Sequence, residues 1–426
     1  MHESFLHYIW QFQYFDKKNL LTSEGEKLEI FKIGNLNTHA GPDFSNAKLK
    51  IGKMEWAGSV EIHTKASGWL EHKHDTDPAY ENVVLHVVWQ NDKPLFRADK
   101  TPMPTLELKD RIDESLIKEY KKLVNSPSPI PCRKSFPQVD SLVKISMLDK
   151  ALLQRLETKA LRVEERLRHT NNDWEETAYR IFGENFGFKV NTEPFQQLMK
   201  AVPYKLLLKH ADKPIQVEAI LFGQAGFLDI AVGDEYYKLL KREYEVLGRK
   251  YNLLETKLKK SQWRFLRLRP ANFPTVRLAQ FAALVQRKNL FSKILELEDY
   301  KSIVQLFSIS QSPYWQQHYQ FNKKATEIVH ALGLASTENV IINSVVPLLA
   351  AYGRATDNSS YLDRATQILQ QIPAENNTII RMWKDVGYSS RTAFDSQALI
   401  ELHNNFCLRR NCLNCNIGVL LLKPHS

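Results

Sequence analysis

One proline-rich stretch separates two kinds of hydrophobic pattern in this chain. Residues 125–137, NSPSPIPCRKSFP, carry four prolines in thirteen residues, a density that neither a helix nor a central strand tolerates. Before this stretch several segments alternate apolar and polar residues, and after residue 140 apolar residues recur every three or four positions. Because these are the periods of strands and helices, the sequence predicts an α/β part followed by a mostly helical part.

The α/β part is predicted to run helix, three strands, helix, strand. We predict a helix in residues 1–20, strands in 28–33, 44–51 and 56–65, a helical stretch in 68–81, a buried strand in 82–89 and an edge strand in 104–108. The predicted organisation of the whole chain is an α/β domain in 1–124, a proline-rich linker in 125–139, a helical domain in 140–400 and a cysteine-rich, metal-binding segment in 401–426.

The composition is that of a folded, globular protein. Of 426 residues, 43% are hydrophobic and 25% are charged, which argues against disorder and against a fibrous repeat. We find no secretion signal at the N-terminus and no apolar run that approaches 18 to 20 residues, so we expect a cytoplasmic protein without a membrane partner. The formal net charge of +10 permits a polyanionic partner.

Histidines and acids are concentrated near the N-terminus. Five of the thirteen histidines lie within residues 39–86. Side chains two residues apart on a strand share one face, so Glu61, His63 and Lys65 are predicted to line one face of the third strand. Together with Asp43 on the neighbouring strand, two carboxylates could hold Mg²⁺ or Mn²⁺ while a base orients water. Such a set suits phosphoryl hydrolysis.

The segments GPDF at 41–44 and VEIH at 60–63, in this order of elements, resemble the PD-(D/E)xK phosphodiesterase superfamily over about the first 110 residues. The resemblance implies a restriction-endonuclease-like fold, with a mixed sheet flanked by helices, and a nuclease that acts on DNA or RNA. It assigns Asp43 and Glu61 as metal ligands and Glu3 as an auxiliary acid. The sequence departs from the family at the lysine position, where His63 stands and Lys65 follows, so either residue is a candidate to orient water.

A longer likeness covers nearly the whole chain. The string from Gly41 to Trp89, RLRPANFPTVRLAQFAAL at 267–284 and the terminal CLNCNIG resemble an uncharacterised bacterial family, domain of unknown function 2851. That family implies no activity.

Two other functions fit the same residues. The fold could be a catalytically inactive module that binds nucleic acid or a protein partner. Alternatively, the chain could be a histidine-rich Zn²⁺ hydrolase that uses His63, His72, His74 and Asp43. In a helix, His72 and His74 would point to different faces, whereas in a loop both could bind one ion. Asp77 is a further catalytic candidate in the same segment, and His86 is expected to be a hydrogen-bonded core histidine.

The four cysteines are predicted to bind a second metal. Cys407, Cys412 and Cys415 form C-x4-C-x2-C, and Cys132 lies in the proline-rich stretch. Four thiolates suit Zn²⁺ or an iron–sulfur cluster, and the spacing leaves both open. Some PD-(D/E)xK exonucleases, which this part of the chain resembles loosely, carry an iron–sulfur cluster with a similar order of cysteines.

A basic segment is the candidate nucleic-acid site. Residues 238–269 contain eleven basic residues and three acids, with Tyr244, Tyr251, Trp263 and Phe265 among them. Basic side chains neutralise phosphates and aromatic rings stack on unpaired bases, although a solvated helix face gives a similar pattern. The predicted nucleic-acid contacts are Lys241, Arg242, Arg249, Lys250, Arg264, Arg267 and Arg269.

Overall fold

The computed structural model describes residues 2–97, 99–229 and 233–423. The chain divides into two compact units, one made of residues 1–147 with 402–426 and the other of residues 148–401. The first unit therefore contains the α/β segment, the proline-rich stretch and the cysteine-rich segment. Within this unit the proline-rich stretch is packed, because the side chains of Ile130 and Phe136 are buried.

One mixed sheet organises the first unit. Its strands are β1 (Leu28–Lys32), β2 (Asn35–Leu36), β3 (Phe44–Ile51), β4 (Met54–Lys65), β5 (Val83–Gln90) and β6 (Thr105–Glu107). Their order in the sheet is β1-β3-β4-β5-β6, with β2 paired to β3. The β1–β3 and β3–β4 pairs are antiparallel, and the β4–β5 and β5–β6 pairs are parallel.

Helices make up most of the remaining described chain. They are α1 (Glu3–Phe12), α2 (Gly68–Glu71), α3 (Glu114–Val124), α4 (Ser141–His169), α5 (Trp174–Phe186), α6 (Thr192–Ala201), α7 (Tyr204–Leu208), α8 (Pro214–Gln224), α9 (Glu235–Lys250), α10 (Pro274–Val285), α11 (Leu290–Glu296), α12 (Tyr300–Leu306), α13 (Leu334–Val340), α14 (Val346–Ala355), α15 (Ser360–Gln371), α16 (Thr378–Asp385), α17 (Ala393–Glu401) and α18 (Asn416–Leu421). A small hairpin, β7 (His318–Gln320) and β8 (Lys323–Lys324), interrupts them. The predicted combination of an α/β part with a mixed sheet and a mostly helical part is confirmed.

Helix α1 packs its apolar face into the core of the first unit. Phe5, Leu6, Ile9 and Trp10 are fully buried in the same cluster as the apolar side chains of β4 and β5. The helix is shorter than the predicted 1–20, because it ends at Phe12 and Gln13 adopts a left-handed conformation. Tyr8 is also buried, whereas Glu3, Ser4, His7, Gln11 and Phe12 are less buried.

One helical stretch passes a length and composition test for a membrane span. It covers Leu334–Ala355, and 67% of its apolar window is buried inside the structure. The stretch is only weakly apolar, and it is this long because α13 and α14 follow each other as one helical stretch. A buried core helix passes the same test, and the cytoplasmic location stays a prediction.

Candidate functional site: a histidine cluster on the sheet

The connection between β4 and β5 carries two of the candidate histidines. The predicted helix in 68–81 is wrong in extent, since α2 ends at Glu71 and a short 3₁₀ turn follows only at Pro78–Tyr80. Lys73 has a left-handed backbone, with φ of 61°, so the chain turns between His72 and His74. Both imidazoles can therefore approach the same point on β4, as the loop alternative required.

Three imidazoles meet beside β4. Each of His63, His72 and His74 offers a nitrogen, and these nitrogens lie within 4.8 Å of one another. Nε2 of His63 is 3.1 Å from Nδ1 of His72. Within the described residues, no other set of three or more His, Cys, Asp or Glu side chains is this tight. The histidine cluster, as we call His63, His72 and His74, is thus close enough for one ion.

Two neighbours hold the ring of His63. Nε2 of His86 lies 2.8 Å from Nδ1 of His63, and His86 is fully buried. On the other side, a Cβ built on Gly68 would lie 2.9 Å from Cδ2 of His63, so only glycine leaves room for the ring. His86 is a hydrogen-bonded core histidine, as expected, and this hydrogen bond orients His63 toward His72.

The two predicted carboxylates are fastened to the backbone. The Asp43 amide donates a hydrogen bond to Oε2 of Glu61 at 3.0 Å, and the Ile62 amide donates to Oδ2 of Asp43 at 2.9 Å. Oε1 of Glu61 faces the histidine cluster, 3.4 Å from Nε2 of His74 and 3.8 Å from Nε2 of His63. These two hydrogen bonds therefore hold the Asp43 and Glu61 carboxylates in position. Glu61 is the acid whose free carboxylate oxygen faces the imidazoles.

Burial shifts the pKa of three histidines and of one acid at this site. Desolvation, reinforced by His72 and His74, lowers the pKa of His63 to about 4, and desolvation also lowers the pKa of His74 and of His86. Desolvation and the nearby Asp43 carboxylate raise the pKa of Glu61 to about 8. These imidazoles are neutral at pH 7, which is the form that binds metal ions.

Three other predicted catalytic residues, Lys65, Asp77 and Glu3, are not part of the histidine cluster. Lys65 is exposed at the end of β4, where its charge acts on Asp92. Asp77 caps the 3₁₀ turn by accepting a hydrogen bond from the Ala79 amide at 2.9 Å, and its charge is felt by His74. Glu3 is close enough to raise the pKa of Glu61.

Sequence reasoning missed two residues of this site. Nε2 of His7 lies 3.1 Å from Oδ2 of Asp43, and the ring of Tyr80 stacks on His74 with centroids 3.7 Å apart. His7 follows Glu3 by four residues on α1, so helical spacing could have placed it beside that predicted acid. No comparable signal in the sequence connects Tyr80 to His74.

The four cysteines come together in the first unit. Cys407, Cys412 and Cys415 are buried and Cys132 is half-buried. Desolvation and the neighbouring Cys415 and Cys412 raise the pKa of Cys132 to about 12, and Cys132 in turn helps to raise the pKa of Cys407. These thiols are therefore near one another, although Cys132 and Cys407 are 275 positions apart in the chain. No three of the four described sulfur atoms lie within 4.8 Å of each other.

The basic segment lies in the second unit. Most of its basic side chains are exposed, but two of its aromatic side chains are not. Arg242, Arg249, Lys250, Arg264, Arg267 and Arg269 are exposed, and Lys241 is half-buried. The prediction that the aromatic side chains are free to stack on bases was wrong for two of them. Tyr244 and Trp263 are buried and donate hydrogen bonds to Gln224 and to the Ala225 carbonyl, because they fill the helical core.

The fold and this cluster define a class of protein: a mixed α/β unit with buried histidines on its sheet, and a helical unit. The chain belongs to the family described as "Protein of unknown function (DUF2851)", whose match covers residues 3–378. No curated protein and no solved structure matches the chain.

Proposed function

We propose that the α/β unit is a metal-dependent hydrolase of phosphodiesters and that the histidine cluster holds its metal ion. The observation that carries this proposal is the approach of three imidazoles, whose nitrogens lie within 4.8 Å of one another at a partly exposed site, with His63 buried and His72 exposed. Three protein ligands and an accessible fourth position are typical of catalytic zinc sites.

The spacing and chemistry of the donors support a transition metal. Ligand atoms about 2.0–2.1 Å from a tetrahedral ion are about 3.3–3.4 Å apart, and the separation between His63 and His72 is 3.1 Å. Imidazole nitrogens favour Zn²⁺ and similar ions, whereas Mg²⁺ prefers oxygen. The histidine-rich hydrolase is therefore better supported than the magnesium nuclease.

Glu61 is the proposed proton acceptor. Its Oε2 is held by the Asp43 amide, which leaves Oε1 beside His74 and His63. A carboxylate in this position would be within reach of a water molecule held at the cluster and could accept its proton. A bound ion supplies the Lewis acid that polarises the phosphoryl group and activates water.

The proposed substrate is a nucleic acid, DNA or RNA. Support comes from the net charge of +10, from the exposed cations of residues 238–269, and from the resemblance of the α/β part to the PD-(D/E)xK superfamily. We also propose that the sheet of the α/β unit is restriction-endonuclease-like.

A magnesium nuclease is the second candidate, because Asp43, directly before β3, and Glu61 on β4 are neighbours. The Asp43 amide donates a hydrogen bond to the Glu61 carboxylate, and the Asp43 charge raises the pKa of Glu61. In this version Mg²⁺ or Mn²⁺ binds to the two acids, and His63 or Lys65 orients water.

The two candidates predict different metals and different essential residues. The full chain is stripped with a chelator and titrated with Zn²⁺, Mn²⁺ and Mg²⁺, and cleavage of single- and double-stranded DNA and RNA is measured beside calorimetric metal binding. We expect one Zn²⁺ or Mn²⁺ per histidine cluster and activity that follows its occupancy. His72→Ala should abolish both binding and cleavage, and Glu61→Gln should keep the metal and lose cleavage.

His39→Ala is the matched control, because His39 is exposed and outside the cluster. Cleavage that requires Mg²⁺, is lost in Asp43→Ala and survives in His72→Ala would replace the proposal with the second candidate. Nucleic-acid binding without cleavage under any metal would instead favour the inactive binding module.

We also propose that the cysteines hold an iron–sulfur cluster with a structural role. No three of the four described sulfur atoms lie within 4.8 Å of each other, whereas the ligands of a single tetrahedral Zn²⁺ would be about 3.8 Å apart. The C-x4-C-x2-C spacing with one distant cysteine is also one that plant-type iron–sulfur proteins use. Protein purified without oxygen should be brown and contain iron and inorganic sulfide. Colourless protein with one equivalent of zinc would refute the cluster.

A further inference from the structure

A cavity of about 190 Å³ lies in the helical unit, away from every residue discussed so far except those of the RLRPANFPTVR segment. A water molecule needs only about 10–15 Å³ of such space, so the cavity can hold a small ligand. The lining residues that matter below are Phe188, Asn191, Asn272, Pro274, Arg277 and Ser336.

Arg277 is a buried cation in the wall of this cavity. Its side chain is 7% exposed, and its guanidinium lies over the ring of Phe188, 4.2 Å from the centroid. Nη1 donates to Gln280 at 3.0 Å, and Nη2 donates to Asn272 and to Ser336 at 2.5 and 3.3 Å. Nε has no hydrogen-bond partner within the described residues.

None of these partners is an acid. Burial alone lowers the pKa of Arg277 to about 10, so the guanidinium remains charged at pH 7. A buried charge without a counter-charge costs several kcal/mol, and buried arginines are normally paired. Arg155 of the same unit shows the usual solution, because its Nη1 lies 3.3 Å from Oε2 of Glu401.

The backbone adds more positive potential at the same place. Pro274 begins α10, and Arg277 lies in its first turn, so both face the positive end of the helix dipole. Arginines near a helix end usually stabilise the C-terminus instead, as Arg364 does by donating to the carbonyls of Ile294 and Leu295 at the end of α11. A cation at the N-terminus is unfavourable unless an anion joins it.

The loop beside the cavity is fixed by Asn191. Its side chain accepts from the Arg264 amide at 2.8 Å and donates to the Arg264 carbonyl at 3.0 Å. This double hydrogen bond holds the exposed arginines of residues 264–269 next to the cavity, where they can attract an anion from solvent.

We propose that the cavity at Arg277 is a binding site for a phosphate group. A phosphate oxygen can accept from Nε, replace the missing counter-charge and gain from the α10 dipole, and Ser336 supplies a hydroxyl donor on the same wall. Phosphate is the anion that arginine and a helix N-terminus bind together most readily. The phosphate can come from a free phosphate, from a nucleotide or from a nucleic-acid strand that follows the exposed arginines.

The test uses the full chain and three probes: inorganic phosphate, adenosine monophosphate and a tetranucleotide, each compared with chloride at equal ionic strength. Calorimetry and thermal unfolding report binding. We expect at least one phosphate probe to bind and stabilise the protein, and we expect Arg277→Met and Ser336→Asp to weaken that binding by roughly tenfold or more.

Ser336→Asp keeps the test valid if Arg277→Met does not fold. The new carboxylate lies beside Nη2, supplies a permanent counter-charge, and should leave the melting temperature in chloride unchanged or higher. Arg381→Met is the control, because Arg381 is exposed on α16 and its loss changes the net charge equally.

The probes also identify the source of the phosphate. Tighter binding of the tetranucleotide, weakened by Arg264→Glu, assigns a nucleic-acid strand, and equal or tighter binding of the smaller probes assigns a free phosphate or nucleotide. The proposal is overturned if no probe binds the wild-type protein, or if the probes bind both variants as tightly as the wild type.

Discussion

The two clusters of potential metal ligands in the first unit are built in different ways. The histidine cluster comes from residues 63–74, on one strand and the connection that follows it, with His86 behind it on the adjacent strand. The cysteines come from residue 132 and from residues 407–415, and they meet only because the C-terminal segment belongs to the same compact unit.

The two clusters also differ in the spacing of their ligand atoms and in the exposure of their side chains. The imidazoles are within 4.8 Å of each other and one of them, His72, is exposed. The sulfur atoms are wider apart and three of the four cysteines are buried. A tight, accessible set suits chemistry on one ion, whereas a wide, buried set that joins distant parts of the chain suits stabilisation.

Removing a cysteine should have the largest effect on stability. Cys407→Ser removes one ligand of the proposed cluster, and we expect a loss of several kcal/mol because metal binding contributes directly to folding. For a unit of this size each kcal/mol corresponds to about 2–4 °C in melting temperature, so calorimetry should show a fall of roughly 10 °C.

If the histidine cluster serves chemistry and the cysteines serve stability, His72→Ala should abolish metal binding at the histidine cluster. The melting temperature of the metal-free variant should stay within a few degrees of wild type. Wild-type protein stripped of iron serves as the control for Cys407→Ser, since it should unfold at nearly the same temperature as the variant. Equal destabilisation by both substitutions would remove the distinction between the clusters.

Gly68→Ala tests whether the ring of His63 is held in place by close packing. The added methyl group would lie 2.9 Å from Cδ2 of His63, so we expect about 1–3 kcal/mol of destabilisation and a clear loss of metal affinity. Gly333→Ala is the control, because its added Cβ meets nothing within 4 Å. Unchanged metal affinity in Gly68→Ala would show that the ring can move without consequence.

His86 is predicted to act through His63 rather than on the ion. Loss of the 2.8 Å contact in His86→Leu should weaken metal binding by about 10–100-fold, the usual effect of a residue that orients a ligand. His86→Gln places an amide near the same position and should recover part of the affinity. Titration calorimetry distinguishes this role from simple packing, since packing alone predicts that Leu is tolerated better than Gln.

The exposed arginines should have the smallest effect, confined to nucleic-acid binding. Charge reversal at Arg264, Arg267 and Arg269 is expected to lower affinity for a single strand and to reduce its dependence on salt, with no change in metal binding by the histidine cluster. Affinity measured from 50 to 200 mM salt checks this. Identical salt dependence in variant and wild type would leave the segment as a solvated face.

Much of the fold could be predicted because β-strands and helices have distinct periods. The strand Val83–Gln90 was expected from the run NVVLHVVW, and Phe44–Ile51 was predicted to the residue. The predicted helix in 68–81 was wrong in extent because Lys73 adopts a left-handed backbone. Nothing in the local sequence indicates this conformation. The early end of α1 has the same cause at Gln13.

The sequence pointed to several of the residues that meet at the site, but not to His7 or Tyr80 and not to the geometry. Strand alternation placed Glu61 and His63 on one face, and the count of histidines marked the region. The sequence could not show that Asp43 and Glu61 would be hydrogen-bonded to backbone amides, because that depends on the register of β3 against β4. Nor could it show the buried, unpaired state of Arg277, which depends on tertiary packing.

The position of the metal ion tests the central claim most directly. Crystals grown with Zn²⁺ or Mn²⁺ can be measured at the absorption edge of the metal, so that anomalous scattering locates the ion. We predict one peak about 2.0–2.2 Å from a nitrogen of each of His63, His72 and His74. A peak on the oxygens of Asp43 and Glu61 with these nitrogens uncoordinated, or no peak on the sheet at all, would contradict the account.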